Sequence, residues 1–198
     1  MNADKRLETP RLILRPFCVS DAEAMFRNWA ADPLVTKYLT WEPHKKINTV
    51  RALLARWVEA AKEPSDYHWA IVSKERGEAI GDLSVVHKDE RCGVAELGYC
   101  LSRAEWGKGL MTEAVSEVLR YLFEDAGFYR VYALHAVGNV ASGRVMEKCG
   151  MRTEGIFRGH FVLLSTGERT DICVKAVLRD EYFERKGGND LHLSRKEV

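Results

Sequence analysis

No stretch of this 198-residue chain is apolar for long enough to cross a bilayer as a helix. Its polar start, Met1-Asn2-Ala3-Asp4-Lys5-Arg6, lacks the apolar core of a secretory signal, so a cytoplasmic protein is expected. Charge of one sign is missing as well: 30 Lys and Arg stand against 29 Asp and Glu, for a net charge of +1. That balance offers no dominant electrostatic footprint for nucleic acid or an anionic membrane, and neither partner is expected. Cysteine is scarce, with five residues, an odd number and no CxxC pair, so neither a disulfide framework nor a zinc site is suggested. The six histidines are scattered without HExxH spacing, and no metal is expected. Internal repeats and a composition break marking a domain boundary are also missing. The length suits one domain with a substantial core.

What is present is a regular alternation of patterns. Arg11–Pro16 has the character of a strand, and Ser20-Asp21-Ala22-Glu23 fits a capping box with Ser20 as N-cap and Glu23 reaching back. Met25, Phe26 and Trp29 follow at helical spacing, and core packing is their expected role. Thr49–Ala61 repeats the amphipathic pattern through Val50, Leu53, Leu54, Trp57 and Val58. From Tyr67 the period changes to that of strands. Tyr67–Ser73, Ala79–Val86 and Val94–Leu101, joined by short turns, predict an antiparallel meander. A helix from Leu110 to about Glu124 and a strand at Arg130–His135 add a parallel crossover. A short helix from Asn139 to Cys149 and a hairpin, Thr153–Leu164 and Glu168–Leu178 turning at Ser165-Thr166-Gly167, complete an α/β (α+β) domain. Residues 6–183 form that domain in this reading, and 184–198 a polar, poorly ordered tail.

Between the third meander strand and its helix lies Arg103-Ala104-Glu105-Trp106-Gly107-Lys108-Gly109-Leu110-Met111-Thr112-Glu113-Ala114. Glycines permit unusual backbone angles, and N–H groups at a helix start can converge on one anion with the dipole behind them. A Walker loop is excluded because Gly109, not Ser or Thr, follows Lys108; a dinucleotide fingerprint is excluded because Thr112 stands where its third glycine belongs. On this stretch alone, a phosphate-binding turn and an ordinary strand-to-helix connection are equally good readings.

Five segments in order carry a resemblance: Leu7-Glu8-Thr9-Pro10-Arg11-Leu12-Ile13-Leu14-Arg15-Pro16, Glu96-Leu97-Gly98-Tyr99, Trp106–Ala114, Asn139-Val140-Ala141-Ser142 and Glu154-Gly155-Ile156-Phe157-Arg158. Together the chain resembles the GNAT superfamily of acetyl-coenzyme A-dependent N-acetyltransferases, within it the branch of the ribosomal-protein alanine N-acetyltransferases. The resemblance implies a mixed, mostly antiparallel sheet splayed between its fourth and fifth strands, with acetyl-CoA wedged into the splay. It implies a cofactor site at Tyr99, Cys100 and Leu101 for the pantetheine arm and Trp106, Gly107, Lys108, Gly109, Leu110, Met111 and Thr112 for the pyrophosphate. Asn139, Ser142 and Lys148 complete it. The pattern departs at Ala104, where Gln or Arg is usual, and at Met146, where many members carry a tyrosine acid. Ser142 is then the hydroxyl that protonates the leaving thiolate, and Glu96 the expected base, with His135 and His160 behind it. Tyr38, Trp41 and His160 are candidates for the wall around a primary amine, either a protein N-terminus or a small molecule. Direct attack in a ternary complex is implied, in a monomer or homodimer. Two non-enzymatic readings compete: an acyl-CoA-binding regulatory domain and a phosphate-binding interaction module.

Overall fold

The computed structural model describes residues 6–194, with side-chain surroundings through residue 187. Eight strands form one mixed sheet in the order β1-β2-β3-β4-β5-β6-β8-β7. The N-terminal segment supplies β1 (Leu7–Glu8) and β2 (Leu12–Arg15), and the meander supplies β3 (His68–Ser73), β4 (Glu78–Asp89) and β5 (Val94–Leu101). Helix α4 (Leu110–Arg120), ending in a wide turn at Tyr121–Asp125, crosses to β6 (Arg130–Ala136), which lies parallel to β5. Helix α5 (Val140–Lys148) leads to the hairpin β7 (Arg152–Val162) and β8 (Arg169–Leu178). All pairings except β5–β6 are antiparallel.

Alternate residues of a strand face opposite sides, so a strand apolar throughout is covered on both faces. β3 behaves in this way. Trp69 and Ile71 join the core under α4, whereas Ala70 and Val72 join the core under the N-terminal helices. Those helices are α1 (Ala22–Met25, continuing as a wide turn over Phe26–Ala30), α2 (Pro33–Thr36) and α3 (Ile47–Ala60). Met25 and Trp29 are fully buried, as their spacing predicts, with Val50 and Leu54 of α3 beside them.

One local expectation is corrected. The first turn is capped two residues earlier than Ser20: the Asp21 carboxylate accepts from the Cys18 backbone N–H at 2.9 Å. Arg15 grips the same carboxylate through both terminal nitrogens, at 2.8 and 2.7 Å, while Glu23 pairs with Arg51 instead. An ion pair from β2 thus outweighs a local capping sequence. The last helix, α6 (Arg179–Ser194), includes residues 184–194 of the segment read as a tail; 195–198 lie outside the described residues. Tyr182 and Lys186 of this helix both reach Glu124, at 2.5 and 2.6 Å.

The parallel pairing is the feature that positions the site. It runs from Val94↔Arg130 to Leu97↔Ala133 and then stops, although β5 continues to Leu101 and β6 to Ala136. Both strands keep their outer neighbours, so the sheet opens as a wedge between them; they are the fourth and fifth strands of the sequence reading, and the short Leu7–Glu8 strand moves the count by one. Gly81 secures the β5 side of this wedge. A Cβ there would lie 2.4 Å from the Cys100 carbonyl oxygen and 3.1 Å from the Leu101 Cα. Gly81→Ala is therefore expected to cost about 1–3 kcal/mol in urea unfolding, as overpacking against backbone does. Gly155→Ala, on a strand position with nothing within 4 Å, serves as the tolerated control.

Candidate active site

The wedge opens into a cleft of about 680 Å³ whose walls come from four regions. The first is the end of β5. Ser102 N–H donates to the Ile80 carbonyl at 2.7 Å, and in an antiparallel ladder the bonding residues alternate. Cys100 and Gly98 therefore point their backbone groups at β4, and Tyr99 and Leu101 point theirs into the wedge. The Leu101 carbonyl is already taken by the Trp106 indole N–H at 2.9 Å. Both backbone groups of Tyr99 and the Leu101 N–H are left for an extended, amide-bearing ligand.

The second wall is the glycine turn. Gly107 and Gly109 take φ of +75° and +77°, a region that side chains disfavour, and Gly109 is the N-cap of α4. The first return bond of the helix is Glu113 N–H to the Gly109 carbonyl. Among the described residues, no acceptor faces the six consecutive N–H groups from Gly107 to Thr112. Unpaired donors at the positive end of an 11-residue helix form a cradle for an anion, and five of these six residues, all but Lys108, line the cleft.

The third wall is the start of α5. Asn139 caps it by accepting from the Ser142 N–H at 3.3 Å, which leaves the amide's own N–H₂ as a donor. The Ser142 hydroxyl lies 3.0 Å from the Tyr99 phenol, and that phenol also lies 3.2 Å from the Ser142 carbonyl. Burial pushes the Tyr99 phenol far up, so it stays protonated. Arg144 and Lys148 line the cleft from the same helix. Across the cleft stand Leu34, Val35, Tyr38 and Leu39, and the Tyr38 hydroxyl donates to the Gly138 carbonyl at 3.3 Å. One hydroxyl thus links the α2 region to the start of α5, 100 residues away in sequence.

Most of the expected residues therefore converge: Tyr99, Cys100, Leu101, Trp106, Gly107, Gly109, Leu110, Met111, Thr112, Asn139, Ser142, Lys148 and Tyr38 all line this cleft. Others stand elsewhere. Lys108 is held by Glu105 at 2.9 Å, outside the lining. Trp41 stacks on His44 at 5.4 Å and packs against the core under the N-terminal helices. His160 sits beside Phe157 on the outer strand β7. Glu96 accepts from the Tyr132 hydroxyl at 2.8 Å, below the point where the wedge opens, and the Tyr132 phenol is pushed up to about 12 by burial and by that carboxylate. The His135 ring packs against Gly143 of α5, with its Nδ1 3.0 Å from the Ala136 carbonyl. Met146 is buried in the core.

Sequence reasoning missed Glu105, a buried carboxylate on the cleft wall beside the anion cradle. Burial raises its carboxyl, but hydrogen bonds from Lys108 and Arg76 more than offset this and hold it below the usual range. Arg103, beside the departure at Ala104, turns away to pair with Asp32 at 2.9 Å. Both residues line a separate cavity of about 420 Å³ with Arg27 and Arg76. A cysteine nucleophile is disfavoured chemically. The Cys100 thiol is driven well up by burial and by Asp82, to which its Sγ donates at 3.2 Å, and burial also raises Cys149.

Comparison with known proteins gives the arrangement a context. The family model for "Acetyltransferase (GNAT) domain" matches residues 11–152. The uncharacterized N-acetyltransferase p20 of Bacillus licheniformis is 30% identical over 176 residues, covering 89% of this chain and 97% of its own. The ribosomal protein uS5-alanine N-acetyltransferase of Escherichia coli is 27% identical over 89% of this chain and 92% of its own. Among solved structures, the microcin C7 self-immunity acetyltransferase MccE, in complex with acetyl-CoA and AMP, superposes with a TM-score of 0.76. At 20% identity over 86% of this chain and 93% of its own, that likeness is one of fold.

Proposed function

The chain belongs to the GNAT acetyltransferase family, and from that premise we propose that it moves an acetyl group from acetyl-CoA to a primary amine by direct attack in a ternary complex. One observation carries the reading. The open edge of β5, the cradle at Gly107–Thr112 and the Tyr99–Ser142 hydroxyl pair share a single cleft.

The pyrophosphate takes the cradle N–H groups, and the pantetheine arm runs as an added strand along Tyr99 and Leu101 with Asn139 opposite. This places the thioester toward Ser142. A neutral amine attacks the thioester carbonyl, the C–S bond breaks as the tetrahedral intermediate collapses, and the sulfur leaves as a thiolate. A proton must reach that sulfur. Tyr99 has one hydroxyl hydrogen; when it is directed at the Ser142 oxygen, the Ser142 hydrogen is free to point at the sulfur. The proton lost by the amine passes through water, by way of Glu96, the carboxylate that Tyr132 fixes on β5, and water returns it to the sulfur; Ser142 steadies the thiolate by hydrogen bonding until then and keeps its own hydrogen. Holding donor and acceptor together supplies most of the rate.

For the acceptor, the uS5-alanine relative makes a peptide with an N-terminal alanine the first choice, followed by small primary amines. Release of free thiol from acetyl-CoA, measured across that panel, tests the reading. Turnover with at least one amine is expected. Tight acetyl-CoA binding without thiol release on any acceptor would point instead to a regulatory domain.

A further inference from the structure

The motif Thr9-Pro10-Arg11 lies far in sequence from the glycine turn, yet the fold brings the two together. Glu113, in the first turn of α4, accepts from the Thr9 hydroxyl at 2.6 Å, from the Arg11 backbone N–H at 3.0 Å and from the Arg11 Nε at 2.7 Å. Arg11 Nη2 closes the pair with the same carboxylate at 2.6 Å. With its Nε and Nη2 thus fixed, Arg11 donates Nη1 to the Lys108 carbonyl at 2.9 Å. The guanidinium lies beneath the turn, and a Cβ built on Gly109 would stand 3.7 Å from it. Arg11 is not part of the cleft lining; Gly109 is.

Resting on the acetyl-CoA reading above, we propose that Arg11 is a positioning residue for the cofactor pyrophosphate, holding the Lys108–Gly109 peptide so that its N–H faces the cleft. The geometry follows from the peptide bond. In a trans peptide the carbonyl and the N–H point in opposite directions, and the chain has no cis peptide among the described residues. A Lys108 carbonyl fixed on Arg11 therefore turns the Gly109 N–H away from Arg11, toward the side where Gly109 lines the cleft. The hold is needed because glycine on both sides of Lys108 removes the steric barrier that would otherwise select one peptide orientation. The helix dipole attracts an anion to the turn, but it does not choose which way this peptide faces. Glu113 has a second part in the arrangement. Its carboxylate is drawn back onto the strand segment, so it does not compete for the donors of the cradle. Lysine at position 11 supplies a single donor point, not a fixed fork, and cannot hold Glu113 and the carbonyl with the same geometry.

Calorimetric titration with CoA, together with the Gly109 amide resonance at saturating CoA, tests this in wild type, Arg11→Ala and Arg11→Lys. Wild type should bind CoA, and its Gly109 amide should shift downfield on binding. Arg11→Ala should bind about 10- to 100-fold more weakly, the loss expected for one pre-aimed hydrogen bond to a charged group, and its Gly109 shift should shrink. Arg11→Lys should fall between, and it keeps the test available if the alanine variant does not fold. Equal affinities in all three, or weaker binding with the Gly109 shift unchanged, overturns the role of Arg11 and leaves the function standing. A wild-type protein that binds no CoA overturns both.

Discussion

Gly109→Val is expected to weaken acetyl-CoA binding by about 100-fold or more, since a β-branched residue cannot hold this turn and keep several charge-assisted hydrogen bonds of ~1.5–3 kcal/mol each in place. Two effects combine. The left-handed conformation at φ +77° costs a side chain about 1–2 kcal/mol, and relief of that strain rotates the peptides whose N–H groups form the cradle. The first effect is a stability loss, visible in denaturant unfolding without ligand. The second is a binding loss, visible only in titration. Gly167→Val separates them. Gly167 also has positive φ (+72°), with nothing within 4 Å, but it lies in the β7–β8 turn away from the cleft. It should lose comparable stability and keep its affinity for acetyl-CoA. Equal binding losses in the two variants would mean that the turn acts only through the stability of the fold.

Ser142→Ala should lower kcat on the order of 100-fold while leaving KM for acetyl-CoA nearly unchanged, because the lost hydrogen bond matters only once charge develops on sulfur. The distinguishing feature is the partner. Tyr99→Phe removes the hydrogen that directs the Ser142 hydroxyl, so it should reduce kcat in the same direction. The double variant should be little worse than Ser142→Ala alone, since groups acting as a unit are not additive. Steady-state kinetics on the acceptor that turns over in the panel provides the measurement. Additive losses would make Tyr99 an independent packing residue. Unchanged kcat in both would remove the hydroxyl pair from the chemistry.

Several parts of this architecture were legible before the structure because they depend on local rules. The meander, the crossover helix and the glycine turn follow from strand periodicity, helical periodicity and positive-φ chemistry, and each lies where the pattern predicted it. The sheet order and its wedge rested on the resemblance alone, since nothing in a single strand states where its pairing stops. Ion pairs between distant segments were invisible. Nothing near Ser20 reveals that Arg15 will draw Asp21 into the cap, and nothing near Lys108 reveals that the distant, exposed Arg76 will pair with the buried Glu105. For the same reason Arg11 and Glu113 are separate motif letters in the sequence, and only the fold brings them together. Trp41 and His160 show the converse. Their residue types suit a binding wall, but stacking on His44 and placement on the outer strand keep them off the cleft lining. The acceptor is the least legible part: across the cleft stand Leu34, Val35 and Leu39 with Tyr38, a mostly apolar wall that specifies no partner.

The central claim is that one wedge in the sheet holds acetyl-CoA by its pyrophosphate and points its thioester at Ser142. A crystal structure with acetyl-CoA bound tests it most directly. The account predicts pyrophosphate oxygens about 2.7–3.2 Å from backbone nitrogens within Gly107–Thr112, the pantetheine alongside Tyr99 and Leu101, and the sulfur within hydrogen-bonding reach of the Ser142 hydroxyl. Acetyl-CoA bound outside the wedge, or bound there with its sulfur remote from Ser142, would contradict it.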